Sequence, residues 1–207
     1  MSIGLVLVLD GPSSVGKSTT LAALQRRWPV EQSGPLIAAG LDAARASLGQ
    51  ASSGQASLGR ASGSRASGGG WADLLERVEP SVAGRPPRFR YGPLGRELVS
   101  GMHRSAAAWA RSGLDVGMDH CIVDTAMLAD LRRGCDGVPL LVIGMTCDPV
   151  VLEDREADRN DVVPGRSAAQ RAAVLEVHHE AVIDTTEATT DEVVADVLAH
   201  VTRFRRG

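Results

Sequence analysis

The segment GPSSVGKST at residues 11–19 constrains the fold of this chain more than any other feature. It has the form G-x-x-x-x-G-K-[ST], in which a glycine-rich turn directs backbone N–H groups toward phosphate. Residues 3–9 before it form a short apolar run rich in branched side chains, which predicts a buried parallel strand. A helix is predicted to begin near Ser18 and to end at Pro29, because apolar residues recur there at helical spacing, at Leu21, Leu24 and Trp28. A strand, a glycine loop and a helix in this order predict a phosphate-binding loop.

This loop predicts a site for ATP and Mg²⁺. The residues expected to surround the phosphates are Gly11, Pro12, Ser13, Ser14, Val15, Gly16, Lys17, Ser18 and Thr19. The Lys17 ammonium is expected to reach the β and γ phosphates, and the Ser18 hydroxyl to ligate Mg²⁺. Lys17 is the only lysine among 22 lysine and arginine residues, and a compact ammonium acts here as a point charge that a guanidinium does not replace. Without a second lysine the chain has no N-K-x-D motif of the kind that Ras-type GTPases use to bind guanine.

Composition narrows the class of protein. A chain of 207 residues is long enough for one domain, with room for an insertion. A net charge of −3 and a pI of about 5.9 argue against a basic surface for nucleic acid. The chain shows no signal peptide and no apolar run of membrane-spanning length, which predicts a cytoplasmic protein without a membrane partner. In that reducing compartment the three cysteines, at 121, 135 and 147, are expected to be buried thiols.

Residues 46–70 consist of five copies of a five-residue unit that begins with Ala-Ser. The unit is too short for a solenoid repeat and too poor in bulky apolar groups to bury a core, so it predicts a flexible insertion within a single domain spanning 1–207. Two interpretations stay open. The favoured one is a repeat expansion tolerated in a surface loop, and the alternative is a lid over the substrate.

The rest of the chain alternates between strand and helix patterns. Strands are predicted within 35–40, 116–124, 140–148 and 181–186. One helix is predicted from Leu94 to about Ala110, with a buried face formed by Leu94, Leu98, Met102 and Trp109. Another is predicted from about Thr190, with its core side formed by Val193, Val194, Val197, Leu198 and Val201. This alternation, with the phosphate loop after the first strand, predicts an α/β fold with a doubly wound parallel sheet of the P-loop kinase type.

The segment at residues 154–171 is dense in arginine. A solvated helix face is the usual interpretation of such a run. The alternative is that Arg155 and Arg159, at i and i+4 on one helix face, close over a transferring phosphoryl group and stabilise the charge on its equatorial oxygens. His178 and His179 follow on a predicted helix, where neighbouring residues point in different directions. They are therefore interpreted as surface residues, not as a metal pair.

Several segments resemble the chloramphenicol phosphotransferases, a family of small phosphate-loop kinases that phosphorylate a hydroxyl of an antibiotic. They cover most of the chain outside about 46–90: LDGPSSVGKST, AAGLDAARA, YGPLGRELVSGMHRSAAAWARSG, VGMDH, VIGMTCDPVVLEDREADRND and VIDTTEATTDEVVADVLAHV. The strand that ends in Cys-Asp before an arginine-rich lid, and the Asp-Thr-Thr before the last helix, are the more specific of these. The resemblance implies an ATP- and Mg²⁺-dependent phosphotransferase with a small hydroxylated acceptor.

The resemblance also implies roles for individual residues. Asp42 matches the general base that accepts the proton of the acceptor hydroxyl, and the less favoured alternative is an ordinary helix N-cap ahead of AARAS. Asp119 matches an acidic strand end that organises Mg²⁺, with Asp124 as a competitor for that role. Arg155 and Arg159 match lid arginines, and residues 184–186 fall near the adenine.

Three alternatives to an antibiotic kinase remain from the sequence. The first is a kinase of a metabolite such as a nucleoside or a sugar. The second is a regulatory protein that binds ATP without catalysing a reaction. The third is slow nucleotide hydrolysis without an acceptor.

Overall fold

A five-stranded parallel sheet forms the centre of the molecule. The computed structural model describes residues 2–32, 34–40, 77–79, 88–159, 165–174 and 177–207. The strands of the sheet are β1 (Val6–Asp10), β2 (Leu36–Gly40), β5 (Asp115–His120), β6 (Leu140–Thr146) and β7 (Ala181–Asp184). Their order is β2-β5-β1-β6-β7, and all neighbouring strands run parallel. Two short strands, β3 (Arg77–Glu79) and β4 (Arg88–Arg90), form a separate antiparallel pair.

Helices cover both faces of this sheet. In the described residues they are α1 (Lys17–Gln32), α2 (Pro93–Arg111), α3 (Thr125–Gly134), α4 (Pro149–Ala157), α5 (Arg166–Val174) and α6 (Thr190–Arg206). The side chains of β1 alternate between two apolar clusters, with Leu7 and Leu9 in the cluster of α1 and α6 and Val6 and Val8 in the cluster of α2 and α3. Because every β1 side chain is buried, the first strand reads as an unbroken apolar run.

The predicted fold class is confirmed, and so are the predicted strands to within a few residues at their ends. The last helix begins at Thr190, and all five predicted core residues are buried, namely Val193, Val194, Val197, Leu198 and Val201. Its start is fixed by a capping box, in which Thr189 and Glu192 each bind the other's backbone N–H. Cys121, Cys135 and Cys147 are buried thiols outside any disulfide, as predicted.

The prediction that Pro29 ends the first helix is wrong. The helix continues to Gln32, with Pro29 inside it and exposed. A proline inside a helix removes one backbone hydrogen bond. Most helix stability comes from tertiary packing, and the preceding Trp28 is completely buried, so burial of the α1 face offsets the loss.

The predicted buried face of α2 is also wrong. Leu94, Leu98 and Met102 are only half-buried and Trp109 is 40% exposed. The buried stripe is instead made of smaller residues at the same helical spacing: Gly95, Val99, His103, Ala106, Ala107 and Ala110. Small side chains let α2 approach α3 closely, and a Cβ added at Gly134 of α3 would lie 3.4 Å from the Cβ of His103. The face of α2 with small side chains is therefore the buried one, because it allows close contact with α3.

The strand order places the candidate site at the carboxyl edge of the sheet. The chain leaves β1 toward β2 on one side and later fills β6 and β7 on the other, and ligands of such sheets bind at the carboxyl ends of strands where the order reverses. Asp42 and residues 46–70 lie outside the described residues. Within the described part of the chain, no helix is both long and apolar enough to cross a membrane.

Candidate active site

Residues 11–16 form a tight loop between β1 and α1. Ser14 and Gly16 adopt left-handed backbone conformations, with φ of 65° and 103°. Gly11 lies so close to β6 that a Cβ would be 2.6 Å from the carbonyl oxygen of Met145. Both glycines of the motif are therefore required by geometry, Gly16 for its dihedral angle and Gly11 for its contact.

Lys17, Ser18 and Asp119 meet at the end of this loop. The Lys17 ammonium donates to the carbonyl oxygen of Pro12 at 2.7 Å and lies 3.7 Å from one carboxylate oxygen of Asp119. The Ser18 hydroxyl donates to the other oxygen of Asp119. Asp119 is the next-to-last residue of β5, which is the strand beside β1. The parallel register thus brings together a cation, a hydroxyl and a carboxylate from two distant segments.

The loop has the donors that a phosphate group requires. The Ser14 hydroxyl oxygen is buried and has no hydrogen-bond partner. Among the described residues, no group accepts from the backbone N–H groups of residues 14–18. These donors stand at the N-terminus of α1, where the helix dipole favours an anion. The residues present therefore fit a bound polyphosphate.

Asp119, and not Asp124, contacts the phosphate loop. Asp124 caps the N-terminus of α3 by accepting from the Met127 N–H at 2.8 Å, and it pairs with Arg96 at 2.8 Å. Burial raises the pKa of the Asp124 carboxyl, but the hydrogen bonds from Arg96 and Met127 outweigh burial and leave this pKa below its ordinary value. Asp124 is thus an ionised helix cap.

The oxygens of Ser18 and Asp119 are the kind of ligand that Mg²⁺ prefers. In the parts of the chain that the structure describes, no group of three or more His, Cys, Asp or Glu side chains could hold a metal ion. Mg²⁺ is usually held by one or two protein ligands together with substrate phosphates and water. This donor set fits a metal that arrives with a nucleotide.

Gln170 is a buried residue of the site that the sequence did not reveal. Its side-chain oxygen accepts from the backbone N–H of Ser13 at 2.5 Å, and only 1% of the residue is exposed. Gln170 lies on α5, whose first turn is held by the buried carboxylate of Glu156 through Ser167 N and Oγ, both at 2.9 Å. A helix from the arginine-rich segment is thereby fixed against the phosphate loop.

The structure also changes the interpretation of the two lid arginines. Helix α4 ends at Ala157, so the prediction that Arg155 and Arg159 share a helix face is wrong. The Arg155 guanidinium donates to the backbone oxygens of Thr185 and Thr186, at 2.8 and 3.3 Å, and to the Thr185 hydroxyl at 3.3 Å. In this structure Arg155 therefore holds the loop that follows β7.

Thr185 connects that loop to the phosphate loop. Its hydroxyl donates to the carbonyl oxygens of Val15 and Thr146, at 3.0 and 3.1 Å. Beside it lies a cavity of about 620 Å³ between the ends of β6 and β7. The residues that line this cavity are Thr146, Cys147, Asp148, Pro149, Arg171, Asp184, Thr186, Glu187 and Ala188. Two of the three residues predicted near the adenine, Asp184 and Thr186, are among them.

His179 is not the surface residue that was predicted. No helix is present at residues 177–180, and the His179 side chain is only 7% exposed. Its Nε2 lies 2.8 Å from the carboxylate of Asp10, which is fully buried at the end of β1 and also accepts from the Ile122 N–H at 2.7 Å. The ring occupies the space above Gly144, where a Cβ would approach it to 2.8 Å. His178 is exposed, as predicted.

Comparisons with solved structures show the fold of phosphate-loop kinases. The chain is similar to a gluconokinase from Sinorhizobium meliloti, with 15% identity, coverage of 98% of this chain and 94% of that one, and a TM-score of 0.61. It is similar to the Mycobacterium tuberculosis APS kinase in complex with AMPPNP and APS, with 14% identity, coverage of 98% and 99%, and a TM-score of 0.60. It is also similar to the tunicamycin resistance protein of Deinococcus radiodurans, with 17% identity, coverage of 96% and 95%, and a TM-score of 0.59.

No curated protein matches the sequence significantly. The model of one protein family matches residues 4–202 and is described as chloramphenicol phosphotransferase-like protein. The match includes the phosphate loop, Asp119 and the segment from Glu156 to Gln170, and it extends over nearly the whole chain. The chain therefore belongs to the chloramphenicol phosphotransferase-like family.

Proposed function

We propose that this protein is an ATP- and Mg²⁺-dependent kinase that phosphorylates a hydroxyl group of a small molecule, an antibiotic such as chloramphenicol. The observation that carries the proposal is the meeting of Lys17, Ser18 and Asp119 at a phosphate loop with unpaired donors. Phosphoryl transfer depends mainly on positioning and on electrostatic stabilisation, and this cluster supplies both. Membership of the family supports a small-molecule acceptor.

In this proposal the loop and its lysine hold the β and γ phosphates. The Lys17 ammonium is already oriented by Pro12 and Asp119, so little reorganisation is needed when phosphate oxygens take their place beside it. Ser18 and Asp119 would hold Mg²⁺, which when bound neutralises charge that develops on the phosphate oxygens. The buried Ser14 hydroxyl would donate to a phosphate oxygen.

The base of the nucleotide is assigned to the cavity between β6 and β7. This cavity adjoins the phosphate loop through Thr185, which bonds to Val15. Arg171 lines the cavity, and its Nε is buried without a hydrogen-bond partner. A guanidinium plane at this place would stack on a purine ring.

Asp42 remains the proposed general base. It follows β2 by two residues, and Gly40 at the end of β2 is paired in register with Asp119. Two residues of chain span at most about 7 Å, which supports a role for Asp42 on the side of the site that holds Asp119. Asp42 would accept the proton of the acceptor hydroxyl while the hydroxyl oxygen attacks the γ phosphorus. The bond between the γ phosphorus and the bridging oxygen of the β phosphate would break in the same step.

Arg155 and Arg159 both remain proposed groups for the charge on the transferring phosphoryl group. Arg155 already donates to three acceptors in the loop after β7, and a role at the phosphate would require it to leave them. Replacing each arginine by lysine distinguishes the roles of the two residues. Arg159→Lys should lower kcat, whereas Arg155→Lys should mainly raise the KM for ATP, because the loop beside the base cavity loses hydrogen bonds that the guanidinium donates.

The proposal is tested by mass spectrometry of the purified protein with ATP, Mg²⁺ and a panel of hydroxylated antibiotics that includes chloramphenicol. The expected result is an acceptor that gains one phosphoryl group. The variant Asp42→Asn should retain ATP binding and lose roughly 10²- to 10⁴-fold in turnover, as expected for a general base. Asp196→Asn, an exposed change on α6, is the matched control. No phosphorylated product from any hydroxyl compound, with ATP still bound, would refute the kinase.

A further inference from the structure

A buried chain of hydrogen bonds runs from the surface of α3 to the end of β5. The Asp130 carboxylate lies 2.8 Å from Nδ1 of His103, and Nε2 of His103 lies 2.8 Å from Nε2 of His120. Nδ1 of His120 accepts from the backbone N–H of Cys121 at 2.8 Å. His103 is fully buried and His120 is 3% exposed. Neither histidine has a place in the phosphoryl transfer described above.

The groups at the two ends of this hydrogen-bond chain fix the donor and the acceptor in each of its bonds. A backbone N–H always donates, so Nδ1 of His120 must be the unprotonated nitrogen and its Nε2 must carry the hydrogen. That hydrogen points at Nε2 of His103, which must then accept, leaving the hydrogen of His103 on Nδ1. Nδ1 donates to Asp130, a carboxylate that also accepts from Ser100 at 3.1 Å and from Arg133 at 2.7 Å. The reverse direction would set two donors against each other at Cys121.

Both imidazoles must be neutral for the chain to exist, since each contact holds a single proton. The surroundings favour that state. Burial lowers the pKa of His103, the Asp130 carboxylate offsets part of this shift, and the Arg104 guanidinium adds to the lowering.

The hydrogen-bond chain ends beside the candidate active site. His120 follows Asp119 directly, and its carbonyl oxygen accepts from the N–H of Gly11, the first residue of the phosphate loop, at 3.3 Å. The turn after His120 is held from the other side by Asp10, which accepts from Ile122. The His120 ring is therefore bonded to the backbone of the turn that directly follows Asp119.

We propose that His103 and His120 are positioning residues, which through this one-directional hydrogen-bond chain hold Asp119 against Ser18 and Lys17 at the phosphate loop. One part of this inference rests on the proposed function, namely the effect on nucleotide binding, because it requires that Asp119 and Ser18 hold Mg²⁺. The direction of the chain does not depend on it. Groups that hold a ligand residue in place typically contribute 10- to 100-fold to metal affinity or activity.

The first test is the tautomer of each histidine in the full-length protein, measured by ¹⁵N–¹H NMR with ¹⁵N-labelled histidine. The expected spectrum has His120 protonated on Nε2 and His103 on Nδ1. His178 is exposed and serves as the internal reference. The opposite tautomer at either buried position, or a doubly protonated ring, would overturn the proposal regardless of any catalytic activity.

The second test compares two substitutions by calorimetric titration with ADP, with and without Mg²⁺. His103→Gln retains an acceptor toward His120 and a donor toward Asp130, whereas His103→Leu removes both. The leucine variant should lose roughly 10-fold of the enhancement of ADP affinity by Mg²⁺, the lower end of the usual range. The affinity without Mg²⁺ should change less than twofold, and the glutamine variant should recover most of the enhancement. His178→Leu is the matched control.

A general structural defect would weaken ADP binding equally with and without Mg²⁺, and that outcome overturns the proposal, as does an unchanged enhancement in His103→Leu. Should the leucine variant not fold, the glutamine variant decides: retention of the Nε2 proton on His120 supports the proposal and its loss refutes it. Failure of the kinase proposal would be distinguishable from failure of the positioning role. A protein that yields no phosphorylated product but shows these tautomers and this Mg²⁺ dependence would contradict the function and leave the positioning role intact.

Discussion

Replacing Gln170 by methionine tests how the phosphate loop is held in shape. The side-chain oxygen of Gln170 is the acceptor for the Ser13 N–H at 2.5 Å, in a buried site. Methionine has a similar length and volume, so the change removes the acceptor without opening a cavity. The Ser13 N–H is then left buried without a partner.

The expected loss follows from that single unpaired donor. A buried N–H without an acceptor costs about 1–3 kcal/mol. For a protein of this size each kcal/mol lowers the melting temperature by about 2–4 °C, so the variant should melt roughly 2–12 °C below the parent. Nucleotide affinity should fall as well, because a loop that turns to hydrate Ser13 must return to its original shape when phosphate binds.

Scanning calorimetry gives the melting temperature, and titration with ADP and Mg²⁺ gives the affinity. The matched control is Gln25→Met on α1, an exposed glutamine whose amide donates to Leu36 and accepts nothing from the loop. That control loses its hydrogen bond to Leu36 and should stay within about 1 kcal/mol of the parent, with its affinity for ADP unchanged. If Gln170→Met melted with the control and bound ADP as the parent does, the Ser13–Gln170 bond would contribute nothing to the loop and the reasoning would be refuted.

Three further predictions concern stability. Thr189→Ala removes the cap of α6 and should cost about 1 kcal/mol, seen as a melting temperature about 2–4 °C lower; an unchanged melting temperature would contradict the capping box. Gly144→Ala places a methyl group 2.8 Å from the ring of His179 and should cost about 1–3 kcal/mol in urea unfolding; an unchanged free energy of unfolding would contradict the close contact. Burial raises the pKa of the Cys135 thiol from 9.0 to about 11, so this thiol stabilises the fold below pH 9 and the contribution is lost as pH rises toward 11. Cys135→Ser should flatten that part of the stability profile, and an equal decline in both proteins would assign it to other groups.

The features predicted correctly from the sequence are those that depend on local repetition. The apolar run of β1, the spacing of valines in α6 and the glycine loop each contain their own evidence within a few residues. The buried face of α2 was assigned wrongly because spacing alone does not say which of two adjacent stripes faces the core. Large residues usually decide that choice, but here the closeness of α3 required the small ones.

The polar anchors of the site could not be predicted, because their partners are far away in the sequence. Gln170 and Ser13 are 157 residues apart, and His179 and Asp10 are 169 apart. A histidine or glutamine in such a position has no periodic signal, since its value lies in one contact that only the folded chain creates. The adjacent His178 is exposed, which shows how little the residue type alone reveals.

Helix α5 illustrates the same limit at the scale of a whole element. It reads as a solvated arginine-rich run, yet it contacts three other parts of the molecule. Gln170 binds the phosphate loop, Ser167 binds the Glu156 carboxylate at the end of α4, and the Arg166 guanidinium lies 5.9 Å from the ring centre of Phe89 on β4. Each contact alone is worth about 1–3 kcal/mol at most, but a single rigid helix joins all three. A displacement of α5 must therefore disturb the phosphate loop, the end of α4 and the β3–β4 pair together.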